Sequence, residues 1–279
     1  MGEIYYELFG RVTICIFRNS EEAVIIDSGI DENQIRKVIN HLKEDRVIIK
    51  GLYLTHSHAD HSGGAFFAKE RGIRVFAPEG EAALLESPDL LNIVISGFNN
   101  RKISGSKFVT PASFQIEKIV EPITLGKGMV NVIGLNGHTM HHTGYECNNT
   151  LFAGDSLFTI ETLEKHAIPY VIDVPMFLES LNTLENYQGT VIVSHSGVVE
   201  EKYKTIEYNR KRIQEIIELV RDLSIRGIGL ASLTDKVLAN YQKERDILSY
   251  FLDSTTIKSI VFSYMDVTVR EGELFVTST

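Results

Sequence analysis

The spacing of apolar residues along the chain switches between two periods, and the switches predict its elements. Residues 3–9, 11–18 and 22–27 are short runs rich in β-branched and aromatic side chains, with Arg18-Asn19-Ser20 as a turn between the second and third. They read as an antiparallel start to a sheet. From about residue 32 to 43 the period lengthens, and Ile35, Val38, Ile39 and Leu42 recur at helical spacing. Ile48, Ile49, Leu52 and Leu54 then mark a buried strand. A helix follows over roughly residues 65–72, a strand over 73–77, and a short helix from Pro78-Glu79 through Leu84-Leu85. Strand and helix alternate, which is the pattern of an α/β protein.

The alternation fails from residue 87 to about 110–115, where Ser96-Gly97-Phe98-Asn99-Asn100 and Ser104-Gly105-Ser106 interrupt any period. Long irregular segments of this kind serve as lids or binding loops. This one carries Arg101, Lys102 and Lys107, with Phe98 and Phe108 nearby, so the three cations are candidate substrate contacts. The plain alternative is a solvated loop with ordinary surface charges. Strands return over residues 117–124 and 130–135, joined by Gly126-Lys127-Gly128. Beyond residue 200 the pattern is helical over 207–222, 233–241 and 247–262, and residues 267–276 then read as a hairpin turning at Glu271-Gly272. The organisation expected is a catalytic unit over residues 1–200 and a small helical one over 201–279.

Composition narrows the class. A chain of 279 residues, at roughly 150 per domain, allows one large domain and a small one. The content of 43% hydrophobic and 23% charged residues is that of a globular protein in water. A net charge of −9 gives no general attraction for polyanions or anionic membranes. From Glu200 onward 12 Lys and Arg face 13 Asp and Glu, so the tail offers no basic patch. The start Met1-Gly2-Glu3-Ile4-Tyr5 lacks the basic flank and apolar core of a signal peptide, and no apolar run reaches the roughly 18 residues of a spanning helix. A cytoplasmic location is expected, with Cys15 and Cys147 reduced.

Candidate chemistry is concentrated in Thr55-His56-Ser57-His58-Ala59-Asp60-His61, directly after a buried strand. His56 and His58 can project the same way from an extended segment, while Asp60 and His61 lie where the chain turns. The device recurs. His138 follows the strand 130–135, Asp155 ends Leu151-Phe152-Ala153-Gly154, and His195 ends Val191-Ile192-Val193-Ser194. Of the three histidines 138, 141 and 142, His138 is the best placed, because all three would crowd one metal pair. His41 and His166 have no such context. Seven donors at strand ends, five imidazoles and two carboxylates, can hold two divalent ions, zinc first, with iron or manganese as alternatives. Asp27, ending another strand, can either cap a helix or support a ligating histidine.

The ordered set H-S-H-A-D-H, N-G-H-T, A-G-D-S-L-F and V-S-H-S-G resembles the metallo-β-lactamase superfamily of metal-dependent hydrolases over roughly residues 5–200. The resemblance implies an αββα sandwich with the metal site along one edge. It implies that His56, His58 and His138 hold one metal and Asp60, His61 and His195 the other, with Asp155 bridging. Asp27 matches the family's first aspartate, which favours its supporting role. Asn136, Met140 and His141 depart from the common P-G-H-T-P-G-H pattern. The A-G-D-S-L-F segment is most similar to glyoxalase II and its relatives. A lactamase proper, secreted and without the bridging aspartate, fits less well, and His58 excludes the flavodiiron branch, which has glutamate there. The tail resembles the winged-helix element of some superfamily members.

The function expected is a dinuclear hydrolase in which a hydroxide bridging the metals attacks an ester-like or thioester-like bond. Asp60 is the expected catalytic residue and Tyr145 a further candidate substrate contact. A phosphodiesterase or ribonuclease is the alternative, and a nucleic-acid-binding regulator a third reading. The expected partner is a small molecule, not a membrane; the charge disfavours nucleic acid, and homo-oligomerisation is left open.

Overall fold

Both faces of the central strands are apolar, so each sheet must be covered on two sides. The computed structural model describes residues 3–98, 112–119, 121–242 and 244–278. The first sheet runs in spatial order β1 (Tyr5–Phe9), β2 (Ile14–Arg18), β3 (Glu22–Ile26), β4 (Ile48–Tyr53), β5 (Val75–Ala77) and β6 (Glu117–Lys118). Its first three strands pair antiparallel, and β3 through β6 pair parallel. Along β2 the two faces separate cleanly: Ile14 and Ile16 face helices, whereas Cys15 and Phe17 face the second sheet. The helices are α1 (Glu32–Glu44), α2 (Ala59–Ser62), α3 (Ala65–Glu70), α4 (Glu79–Glu86) and α5 (Pro88–Ser96). Of these, α1 buries the expected Ile35, Val38, Ile39 and Leu42, and Asp31 caps it by accepting the Asn33 amide.

The second sheet contains β7 (Ile123–Leu125), β8 (Gly128–Gly134), β9 (Thr143–Cys147), β10 (Thr150–Phe152), β11 (Thr190–Val193) and β12 (Gly197–Val198), in that spatial order. Residues of the two inner faces, among them Phe17, Val24, Ile26, Tyr145, Phe152 and Ile192, form the core between the sheets. On the outer face lie α6 (Ile160–His166) and α7 (Val174–Asn186). The molecule is thus a mixed α/β sandwich in four layers, as expected.

The chain then continues through α8 (Lys202–Ser224), β13 (Ile228–Gly229), α9 (Leu230–Asn240), α10 (Ile247–Tyr264), β14 (Asp266–Arg270) and β15 (Glu273–Thr277). The hairpin turns where expected, and β13 adds a third strand beside β15. Ile206, Ile213, Ile216, Val220, Val237, Ile257 and Ile260 belong to the same apolar cluster as Leu151, Phe177 and Val191 of the sandwich. Among the described residues no helix is long and apolar enough to cross a membrane. Cys15 and Cys147 are free thiols in the core between the sheets.

Two local expectations need correction. The segment after residue 87 begins with a regular helix, α5, because Pro88 starts it and Gly97, at a φ of 81°, stops it after nine residues. The run 117–124 is not one strand. It divides into β6 of the first sheet and β7 of the second, with Pro122, which has no amide to donate, between them. Arg101, Lys102, Lys107 and Phe108 lie outside the described residues.

Candidate metal centre

Five strands end at one edge of the sandwich. The parallel neighbours β3 and β4 deliver Asp27 and the His56–His61 loop, and β8, β10 and β11 of the facing sheet deliver His138, Asp155 and His195. The Thr143 amide donates to the Thr55 carbonyl at 3.0 Å and ties the sheets together at that edge. Gly154 lets the loops come this close. A Cβ there would stand 2.6 Å from the His142 ring, and its φ of 57° is one that glycine adopts without strain.

Three imidazoles form the first donor group. The ligand atoms of His56, His58 and His138 lie within 4.8 Å of one another. His138 Nδ1 donates to the Tyr170 carbonyl at 2.9 Å, which leaves Nε2 as a bare lone pair. Thr55 Oγ1 donates to the Asp27 carboxylate, so its lone pair is free to accept from His56 Nδ1 at 2.9 Å. His56 Nε2 is then bare as well. Both bare nitrogens point at His58 Nδ1, at 2.9 and 3.0 Å. A single N–H on His58 could satisfy only one of them, whereas one cation satisfies all three.

The second group is Asp60, His61 and His195, and Asp155 stands between the two. His61 Nδ1 donates to Asp27 at 2.9 Å, and its fully buried Nε2 has no hydrogen-bond partner among the described residues. That nitrogen faces Asp155 at 3.3 Å and Asp60 at 3.7 Å. The same Asp155 oxygen lies 3.2 Å from His195 Nε2 and 3.7 Å from His138 Nε2, so it touches both groups. Imidazole nitrogens that face carboxylates in a buried site call for positive charge between them, supplied by a bound cation or by a proton.

The electrostatics agree. Burial pushes His56 well below the usual histidine value, and holds His58 and His138 down at about 4. These three are neutral and ready to ligate. Burial would lower His61 too, but Asp155 and Asp60 outweigh it and hold that imidazole well above its ordinary value. Asp155 likewise raises His195 against the effect of burial. Burial works to raise Asp155 itself, yet His195 and His61 keep it far below the carboxylate range. The acidic half of the site therefore demands positive charge.

The family model of the metallo-beta-lactamase superfamily matches residues 9–196. The chain belongs to that superfamily. It is 28% identical over 153 residues to hydroxyacylglutathione hydrolase 1 of Vibrio vulnificus, covering 52% of this chain and 47% of that protein. It is 29% identical over 137 residues to the hydroxyacylglutathione hydrolase of Shewanella loihica, covering 48% and 45%. The matches thus span about half the length of these relatives. Among solved structures, a metallo-beta-lactamase family protein of Thermus thermophilus superposes with a TM-score of 0.70 at 17% identity, covering 98% of this chain and 97% of that one. A beta-lactamase domain protein of Burkholderia ambifaria gives 0.70 at 17%, covering 99% and 91%. Both likenesses show the fold and include the C-terminal elements.

Within this metallo-beta-lactamase fold, the seven donors expected from the sequence are brought together. Asp27 is fully buried at a φ of 62°, and its carboxylate accepts from the Thr55 amide, the Thr55 hydroxyl and His61. It caps nothing. Tyr145 requires correction: it is fully buried between the sheets, and its hydroxyl donates to the Leu54 carbonyl at 2.7 Å, so it cannot touch substrate. It braces the end of β4 instead.

Two residues of this edge were not anticipated. His142 accepts the Asp155 amide at 3.0 Å and fixes that residue's backbone. Glu81, buried on α4, accepts from the Ser57 amide at 2.9 Å, the Thr139 hydroxyl at 2.6 Å and the His141 amide at 3.2 Å. It joins the two ligand loops. His142 could have been found from its place four residues after His138; Glu81, one of three glutamates on a short helix, carried no signal.

Proposed function

We propose that the chain is a dinuclear hydrolase of an ester-like or thioester-like bond in a small molecule. His56, His58 and His138 would hold one ion, Asp60, His61 and His195 the other, with Asp155 shared. The observation that carries this reading is the single Asp155 oxygen 3.7 Å from His138 and 3.2 Å from His195, which spans both donor groups. Five imidazoles against two carboxylates favour zinc, with iron or manganese as alternatives. Bound there, two such ions would acidify a water and polarise the acyl oxygen.

The protein's own part is to orient and to exclude. Asp60, with 27% of its side chain exposed, stands at the open side of the site, where its carboxylate can accept a hydrogen bond from the attacking water and aim it. Asp27 and the Tyr170 carbonyl keep the ligand imidazoles in one tautomer. The half-buried Tyr170 ring, its centroid 5.4 Å from that of His58 and 5.5 Å from that of His138, and Phe158 at 5.8 Å from His138 wall off one side. The Vibrio and Shewanella relatives are named as hydrolases of hydroxyacylglutathione, an acylated thiol compound, which supports a thioester. Residues 201–279 are proposed as a distinct winged-helix-like unit. That tail also supports the second reading, phosphodiester cleavage, which the net charge of −9 opposes.

The deciding experiment assays the metal-loaded protein in parallel on a thioester, a lactone and a phosphodiester. Thioester cleavage is expected to be fastest. Exclusive phosphodiester turnover would reject the acyl reading in favour of the second, and no turnover of any of the three would reject both.

A further inference from the structure

The loop between α6 and α7 supplies the carbonyl that orients His138, and a helix from the far end of the chain holds that loop. His138 Nδ1 donates to Tyr170 O at 2.9 Å. Thr256, fully buried on α10, bonds to the residues on both sides of Tyr170: its hydroxyl donates to the Pro169 carbonyl at 2.7 Å and accepts the Val171 amide at 2.9 Å. One turn further, Ser259 accepts the Val174 amide at 2.9 Å. On the other side of the loop, the Gly137 carbonyl accepts the amides of Ile172 and Asp173 at 2.9 and 3.1 Å. Residues 169–174 thus form a strap, clamped between α10 and the His138 turn.

We infer that Thr256 is a positioning residue for the three-histidine group, acting through Pro169 and Val171 to hold the Tyr170 carbonyl against His138 Nδ1. The inference rests on the metal-centre reading above. Its physical basis is that one hydroxyl does two opposite things, donating to a carbonyl and accepting an amide, inside a core that offers neither group a substitute. An apolar side chain of equal size leaves both backbone groups unpaired, and the strap must move to find new partners. The Tyr170 carbonyl moves with it. Neutral His138 then loses the bond that keeps its proton on Nδ1, and Nε2 no longer stands reliably bare towards His56 and His58. Residues more than 80 positions away would in this way shape a site that they do not touch.

The test uses the full chain in five forms: wild type, Thr256→Val, Thr256→Ser, Ser259→Ala and Ile260→Val. Ile260 is buried on the same helix, and its apolar side chain can make no bond to the strap. Zinc affinity is measured by chelator competition, and the His138 tautomer by long-range proton–nitrogen NMR of the metal-free protein. Thr256→Val should lower the affinity of the three-histidine site roughly 10- to 100-fold, the range for lost support of a ligating histidine, and shift the imidazole proton away from Nδ1. Serine should restore both readouts, and Ile260→Val should match wild type. Wild-type affinity and tautomer in Thr256→Val overturn the inference, as does an equal loss in Ile260→Val, which would mark a general loosening of the helix. Ser259→Ala, which frees only the Val174 amide, should show a smaller loss in the same direction. It carries the test if the valine variant does not fold, and no change in it would then count against the strap. A wild-type protein that takes up no zinc would sink the metal-centre reading alone, because the tautomer measurement still decides the role of Thr256.

Discussion

Replacing Asp27 by Asn isolates one proton. Asn is among the few residues besides glycine that tolerate a φ of 62°, so the backbone can stay where it is. The amide oxygen must keep the Thr55 N–H that Asp27 Oδ1 now accepts at 2.8 Å. The amide nitrogen therefore replaces Oδ2, which lies 2.9 Å from His61 Nδ1. Nitrogen there can only donate. His61 must accept at Nδ1 and carry its own proton on Nε2, the atom that faces Asp60 and Asp155. A hydrogen bond to a charged partner contributes about 1.5–3 kcal/mol, and each 1.4 kcal/mol is a factor of about ten. The affinity of the Asp60–His61–His195 group should fall roughly 10- to 150-fold; the Thr55 hydroxyl can still donate to the remaining oxygen, 3.1 Å away, so the three-histidine group should change less. Titration of the metal-free chain with zinc against a chromophoric chelator resolves the two steps. Two ions bound by Asp27→Asn at wild-type affinities would refute the reasoning.

Four further outcomes are expected. His195→Ala should reduce bound metal from about two ions per chain towards one, because the three-histidine group stays complete, whereas Asp155→Ala should lower both occupancies together; elemental analysis after identical dialysis separates the cases. Asp60→Ala should unfold at nearly the wild-type temperature yet lose hydrolysis, since its carboxylate is partly exposed and outside the core; full activity in a folded variant would remove it from the mechanism. For a small ester or thioester, kcat/KM should be nearly flat over a tenfold range of salt, while a steep fall would point to a polyanion. The Gly126 amide and then Lys50 hold the Glu22 carboxyl below its ordinary value, so its contribution is present at neutral pH and lost as pH falls through the folded-state value. Glu22→Gln should flatten the acid limb of the stability profile below about pH 4.3, the unfolded value, as measured by urea midpoints.

What could be read from the sequence was whatever repeats locally. His56, His138 and His195 each follow an apolar strand, and a donor at a strand exit shows in any window of eight residues. The strands themselves were visible because β2, β3 and β11 are almost wholly buried and apolar. Contacts between distant segments were not visible. Tyr145 lies seven residues after His138, which says nothing of its direction; on β9 it shares the inner face with Cys147 and packs between the sheets. The helix α5 was missed because Leu90, Ile93 and Val94 remain exposed, so its apolar residues form no single stripe. Thr256, in the run Ser254-Thr255-Thr256, looks like a weak spot in a helix until Pro169 and Val171 are set against it.

The Glu81 carboxylate has a mechanical consequence. Ser57 hangs from the first sheet, Thr139 and His141 from the second, and all three donors converge on one rigid group at 2.6 to 3.2 Å. If one sheet slid past the other by about 1 Å, at least one of these bonds would leave hydrogen-bonding range. The carboxylate therefore acts as a gauge of shear between the halves, and it sits beside the atoms whose spacing matters most. Any displacement of one sheet against the other is therefore registered first at this carboxylate, beside the seven donor atoms.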